Sequence, residues 1–340
     1  MERKKKKRQS SFSGLLFVQI LLTGVVLCVF ALFHHVIPQM ELRKNGLPEP
    51  LGTVERQPTP TTQAAEETAL PMEVPPPTPE PWSVRFAEQF SETAMWEELS
   101  YHGPALSVTV TPYEHPEAFP RLSYYVADVY VADLSLFRTG FPAAGTFDSA
   151  EGIAAANGAV LAVNGDSMLT QRDGFLVRNG EIYKQIPNSG DLCVLYYDGV
   201  MEICPPEGYT VEEILAREPY QIWQFGPSLL DEDGSARESF NISSVLQELH
   251  PRTALGYYEP GHYCLVVVDG RQPGYSDGAD IHTLAQIMSS LGCKLAYNLD
   301  GGASSRMVFA GKTVNRPSGD RYINDMLVFG EIQGMEGAER

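Results

Sequence analysis

The chain contains no Cys-x-x-Cys pair and no Cys/His spacing of the kind that builds a zinc site. Positive charge is scarce beyond residue 81, where 16 Lys and Arg face 35 Asp and Glu. Such a surface repels nucleic acid and anionic membrane, which disfavours a general nucleic-acid-binding role. A small anionic substrate stays compatible, provided arginines gather in one pocket. No A-x-A cleavage site follows the long apolar run near the N-terminus, so a cleaved signal peptide is disfavoured.

What is present is organised by charge and composition. Residues 2–8, ERKKKKR, are basic, and residues 14–37 follow without one Lys, Arg, Asp or Glu. Twenty-four such residues suffice to cross a bilayer as a helix, with the basic cluster held on the cytoplasmic side. Ten prolines fall in the 37 positions of 45–81, a composition that cannot build a core and reads as an extended stalk. The expectation is a basic cytoplasmic tail over 1–13, a single-pass signal-anchor helix over 14–37, a Pro-rich stalk over 38–81 and an extracytoplasmic domain over 82–340.

Of the five cysteines, Cys28 falls in the apolar run. Cys193 and Cys204 flank VLYYDGVMEI, whose Asp198-Gly199 is a hairpin signal. A two-residue loop there sets the two cysteines opposite each other, as a bridge or as two thiols. Cys264 and Cys293 begin apolar segments and read as buried free thiols.

Local patterns predict a mixed, mainly antiparallel α+β domain. RLSYYVADVYVADLSLF (121–137) alternates as a strand pair or one long strand. FDSAEGIAAANG (147–158) reads as a short helix with Ser149 as N-cap and Gly158 as its stop. FLVRNGEIY is a hairpin marked by Asn-Gly, and Thr210 with Glu213 fits a capping box. QIWQFGPSLLDEDG and HPRTALGYYEPGHYCLVVVDG read as further strand pairs. Most regular is the apolar strand YCLVVVDG, a helix over 278–292 with Ile281, Leu284, Ala285, Met288 and Leu291 on one face, and the strand KLAYNLDGG. Such a crossover makes its two strands parallel and puts Asp269 and Asp300 at the same carboxyl end of the sheet, where ligands bind in open α/β sheets.

The segments AVNGD, FGPSLLDEDG, HPRTALGY, VVVDGR, NLDGGASSRMV and VNRPSGDRYINDMLVF occur in that order. Their succession resembles the phosphodiester glycosidase family over roughly residues 105–332. Two positions depart from the family pattern. Ser167-Met168 stand where an aromatic pair is common, and Ala303 where a third glycine is common. The resemblance implies hydrolysis of the bond between a sugar C1 and a phosphate oxygen, here in cell-wall or exopolysaccharide material within reach of the stalk.

That reaction asks for one or two carboxylates beside one or two arginines, because positive charge builds on the sugar while the leaving group is an anion. Asp300 is the first candidate as nucleophile or general base, since it ends an apolar strand where desolvation tunes its pKa. Asp166 and Asp269 are the other carboxylates; each has a plain alternative as a turn residue. Gly301 and Gly302 can let backbone N–H groups approach an anion. Arg252 and Arg321 are the candidate phosphate ligands, with a surface salt bridge as the alternative. Asn164, Ser304, Ser305 and Asn315 are candidates for sugar hydroxyls or phosphate oxygens, or for stabilising turns. His250, His262 and His282 read as structural. No motif calls for a cofactor, although clustered carboxylates suit Ca²⁺ or Mg²⁺; Asp231–Gly234 is too short for an EF-hand and reads as a turn. Two competing functions remain: a non-catalytic module that binds sugar phosphates or envelope polysaccharide, and an assembly protein whose old active site is now scaffold.

Overall fold

The structure, a computed structural model, describes residues 47–56, 80–118, 120–170, 174–186, 190–242 and 244–330. The expected tail, anchor helix and most of the stalk lie outside these residues. Among the described residues no helix is long and apolar enough to cross a membrane. The described residues of 49–143 and 147–330 form the globular unit.

Three antiparallel sheets form this α+β unit. A seven-stranded sheet runs in the order Leu295–Asn298, Arg252–Glu259, His262–Val268, Leu122–Val131, Leu106–His115, Ser100–His102, Met95–Trp96. A six-stranded sheet runs Gly52–Thr53, Glu181–Ile186, Gly174–Arg178, Pro219–Trp223, Leu192–Tyr196, Met201–Cys204. A five-stranded sheet runs Lys312–Thr313, Met307–Phe309, Leu161–Asn164, Met326–Phe329, Phe137–Gly140. The edge strand Gly52–Thr53 and the buried Val54 come from within the expected stalk, so the folded unit starts earlier than residue 82.

One core is shared by all three sheets. Val108, Val129 and Leu265 reach it from the seven-stranded sheet, Leu195 and Trp223 from the six-stranded one, and Leu161 and Phe329 from the five-stranded one. Each outer face carries its own helix. Ile281–Ser290 lays Leu284, Ala285 and Met288 on Ala254, Val266 and Val268. Val211–Leu215 covers the six-stranded sheet through Ile214, and Ala150–Ala156 covers the five-stranded one through Ile153 and Ala154. This explains why Tyr263–Val268 is continuously apolar although its sheet is antiparallel: alternate residues face the shared core and the helix, so neither face meets water. Burial of each such aliphatic side chain is worth about 1.5–3 kcal/mol.

The local signals formed as the chain predicts. Ser149 caps its helix by accepting from Gly152 N, Thr210 and Glu213 form the capping box, and Gly158 takes φ 62° at the stop. Arg178 pairs with Glu181 across the left-handed Asn179-Gly180, a two-residue hairpin. The second hairpin corrects the expected register. Leu192 pairs with Cys204 and Cys193 with Ile203, because Tyr196 N bonds Val200 O and the loop takes three residues with Gly199 at φ 81°. One residue of slip turns Cys193 and Cys204 to opposite faces. They are free thiols, as are Cys264 and Cys293.

The crossover also holds, with one addition. Arg252–Glu259 lies between His262–Val268 and Leu295–Asn298, antiparallel to both. The two outer strands are therefore parallel to each other, and their carboxyl ends share a rim with the start of the middle strand.

Candidate active site

Asn164 joins the sheets at this rim. Its Nδ2 donates to the Asp300 carbonyl at 2.7 Å, and its Oδ1 accepts from Thr253 Oγ1 at 2.7 Å and Arg306 N at 3.1 Å. Asp300 N in turn bonds the Gly165 carbonyl at 3.2 Å. The side chain predicted to bind substrate is thus a connector that fixes the 164–166 and 300–302 loops against each other.

Below Asp300 lies a dry acidic floor. Asp166, Arg178 and Asp325 have side chains 0–1% exposed. Arg178 Nη2 donates to Asp166 Oδ1 at 2.5 Å and stands 3.8 Å from Asp325 Oδ2. Gln224 N donates to Asp166 Oδ2 at 3.0 Å, and Ser167 N to Asp325 Oδ1 at 3.1 Å. Ser167 holds φ 58°, a costly conformation for a non-glycine residue, in the turn that aims its amide at Asp325. A Cβ at position 165 would run into Asp325 Oδ2, so glycine there is what lets the two acids approach. Asp325 Oδ2 receives no hydrogen bond of ordinary geometry from a donor. Burial first, and the Asp166 carboxylate second, push the Asp325 pKa up to about 8.

Asp300 sits above this floor. Burial raises its pKa, while Arg321 and the Gly301 amide, which donates to Oδ1 at 2.9 Å, oppose the rise. The Ser304 hydroxyl faces the carboxylate and also opposes it, yet its Oγ forms no hydrogen bond of ordinary geometry. Ser305 Oγ is likewise buried without a partner. Arg321 is exposed, so its charge meets solvent and Asp300 together.

The glycine pair serves differently from expectation. Gly301 N is committed to its neighbour's carboxylate and Gly302 N to the Pro251 carbonyl at 2.9 Å, so the two amides do not form an anion cradle. The glycines instead permit close packing. A Cβ on residue 301 would sit 2.8 Å from Pro251 O, and one on residue 302 would sit 3.1 Å from Arg271 Nη1. Arg271, itself at φ 58°, therefore lies across Gly302 with His250 Nδ1 3.3 Å from its Nη2.

Three predicted residues are spent on structure. Arg252 Nε donates to Ala279 O at 2.9 Å and Nη2 to Leu246 O and Glu248 O at 2.8 Å each. It anchors the 246–250 segment from 2% exposure rather than presenting its fork to a phosphate. Asp269 accepts from Asn315 Nδ2 at 2.8 Å, Tyr275 Oη at 2.9 Å and Arg316 N at 2.9 Å. Asn315 is fully used as well, since its Oδ1 accepts from Met307 N at 2.9 Å. Asp269 and Asn315 brace the 315–316 loop. His262 pairs with Asp128 at 2.7 Å, and His282 stands edge-on to Phe240.

Arg178, Asp325 and Arg271 escaped the sequence reading. Their signal was position: Asp325 abuts the fully buried strand Met326–Phe329, just as Asp300 follows a buried run, and Arg178 ends the fully buried strand Gly174–Arg178. A charge adjoining an all-apolar strand needs a partner in the interior.

Two cavities of about 760 and 800 Å³ share Asp191, Asp231 and Arg237; neither is lined by Asp166, Asp300 or Asp325. Among the described residues no group of three His, Cys, Asp or Glu could hold a metal ion.

Comparison with known proteins bears on the fold and the family. The catalytic domain of zebrafish N-acetylglucosamine-1-phosphodiester alpha-N-acetylglucosaminidase, auto-inhibited by its pro-peptide, shares the fold at a TM-score of 0.54 and 19% identity, over 70% of this chain and 88% of that one. A hypothetical protein from Synechocystis aligns at a TM-score of 0.46 and 15% identity, over 66% of this chain and 62% of that one. The SPbeta prophage-derived uncharacterized protein YomE of Bacillus subtilis (strain 168) is 26% identical over 176 residues, 49% of this chain but only 27% of that protein. A family model described as phosphodiester glycosidase matches residues 153–330, which include both the acidic floor and the Asp300 loop. With more than half of its length so matched, this chain belongs to the phosphodiester glycosidase family.

Proposed function

We propose that this protein hydrolyses glycosyl phosphodiesters at the sugar C1–O bond, with Asp300 supplying the carboxylate. The observation that carries the reading is the setting of Asp300: a desolvated carboxylate that accepts from the Gly301 amide, on a backbone tied down through its carbonyl by Asn164, with the cations Arg321 and Arg271 on neighbouring segments. Water adds to C1, the C1–O bond breaks and a phosphomonoester leaves. Asp300 either attacks C1 first or accepts the proton of the attacking water. The leaving phosphate is a stable anion, so no strong general acid is required. Arg321 keeps the phosphate role expected of it, and Arg271 takes the one first assigned to Arg252. Burial that raises the Asp300 pKa also makes its carboxylate a stronger base.

The site is placed outside the cell, on an anchor formed by residues 14–37, with envelope polysaccharide as the substrate material; the support is the charge pattern and the proline-rich segment. Protease accessibility of the domain on intact cells checks the orientation. The decisive assay is release of free sugar and phosphomonoester from a sugar-1-phosphodiester by the purified full chain, compared with Asp300→Asn. The binding-module alternative draws on the absence of these carboxylates from the two large cavities. Ligand-induced stabilisation without turnover would select it.

A further inference from the structure

The dry floor beneath Asp300 poses a charge problem. Two carboxylates, Asp166 and Asp325, share one guanidinium, Arg178, and all three are sealed from water. Arg178 commits Nη2 to Asp166 at 2.5 Å and Nη1 to the Val177 and Ile222 carbonyls, which leaves Asp325 at 3.8 Å as the weaker partner. An unpaired buried carboxylate is costly, and such a group neutralises by taking up a proton.

We propose that Asp325 is a positioning residue that stays a protonated carboxylic acid and hydrogen-bonds Asp166. The buried floor then carries no net charge, and Asp300 is the anionic group presented to the substrate. The inference rests on the hydrolase reading for its consequence, but not for the proton itself. The substrate is an anion, so a second negative charge under Asp300 would oppose both its ionisation and the approach of the phosphodiester. The accommodation is built into the fold: glycine at 165 admits the Asp325 carboxyl, the strained Ser167 turn donates to its Oδ1, and Oδ2 is left without a donor. The charged groups facing Asp325 are Asp166, Arg178 and Asp300. Beyond them, Arg321 acts on Asp300, while Tyr297 and Cys193, both pushed up by burial, face Asp166. The raised Asp325 pKa, about 8, agrees with a proton kept at neutral pH.

The sign for stability follows. The unfolded chain releases this proton near 3.8 and the folded protein near 8, so stability falls as pH rises between those values. Infrared titration of the unaltered protein should show a protonated-carboxyl C=O band at neutral pH that is lost through about pH 8. Asp325→Asn should lack this band, and its Tm should decline less over the same window. In the sugar-1-phosphodiester assay, wild-type kcat/KM should fall tenfold per pH unit above about 8, and the alkaline fall should vanish in Asp325→Asn whatever its level at neutral pH. No protonated-carboxyl band in the unaltered protein at neutral pH, or the same alkaline fall in the variant, overturns the proposal. Should Asp325→Asn not fold, the unaltered protein's infrared band decides. A protein with the titrating band but no turnover keeps the proton-holding floor and removes the hydrolase reading alone.

Discussion

Asp269 and Asp300 look alike in the sequence: each follows an apolar strand, precedes glycine and arrives at the same rim. The structure gives them opposite lives. Asp269 receives Asn315 Nδ2, Tyr275 Oη and Arg316 N, and so braces a loop. Asp300 receives the Gly301 amide beside the charge of Arg321 and above a floor of two acids and one guanidinium. Burial raises both pKa values, so burial alone does not separate a brace from the carboxylate proposed to act on substrate. What separates them is how many of the oxygens' hydrogen-bonding positions the protein has already filled.

The comparison can be broken at its active side first. Asp300→Asn should lower kcat by about 10³-fold, in the range lost with a positioned acid–base group. Its Tm should stay level or rise at neutral pH, since the ionised carboxylate is disfavoured by burial. The acid limb of kcat/KM should lie above the ordinary aspartate range, because Asp300 must ionise and burial raises its pKa. Arg178→Met removes the cation of the floor and should cost about 3–5 kcal/mol in denaturant unfolding. Asp269→Asn sharpens the contrast: it sets an amide donor against donors already in place and should cost about 1–3 kcal/mol of stability, with a far smaller loss of kcat than at Asp300. Smallest is Arg321→Ala, expected to raise KM about tenfold, or about 1.4 kcal/mol, while Arg252→Gln should lower Tm before it alters KM.

Short-range structure was legible because it is paid for locally. Ser149, Thr210 with Glu213, and Asn179-Gly180 each satisfy or redirect backbone groups within a few residues. The five-residue helical stripe from Ile281 was readable for the same reason; all but the half-buried Leu291 are buried. The Cys193–Ile203 pairing was missed because an Asp-Gly turn fits two-residue and three-residue loops alike, and one residue of loop length reverses every face beyond it. Arg252 was misassigned for a different reason. Its three acceptors are backbone carbonyls at 246, 248 and 279, and a carbonyl has no signature in the sequence.

The amino-acid order by itself settled the caps, most turns, the apolar strands, and the delivery of Asp269 and Asp300 to one rim, since each follows from periodicity or from backbone bonds closed nearby. It also set the charge balance that disfavours nucleic acid. Only the tertiary structure decided that Arg178 and Asp325 meet Asp166, which lie 12 and 159 positions away in the chain. The same holds for which carboxylates keep hydrogen-bonding positions that the protein does not fill. The reason is that desolvation and hydrogen-bond saturation belong to the packed neighbourhood of a group, and three sheets closing on one core create that neighbourhood.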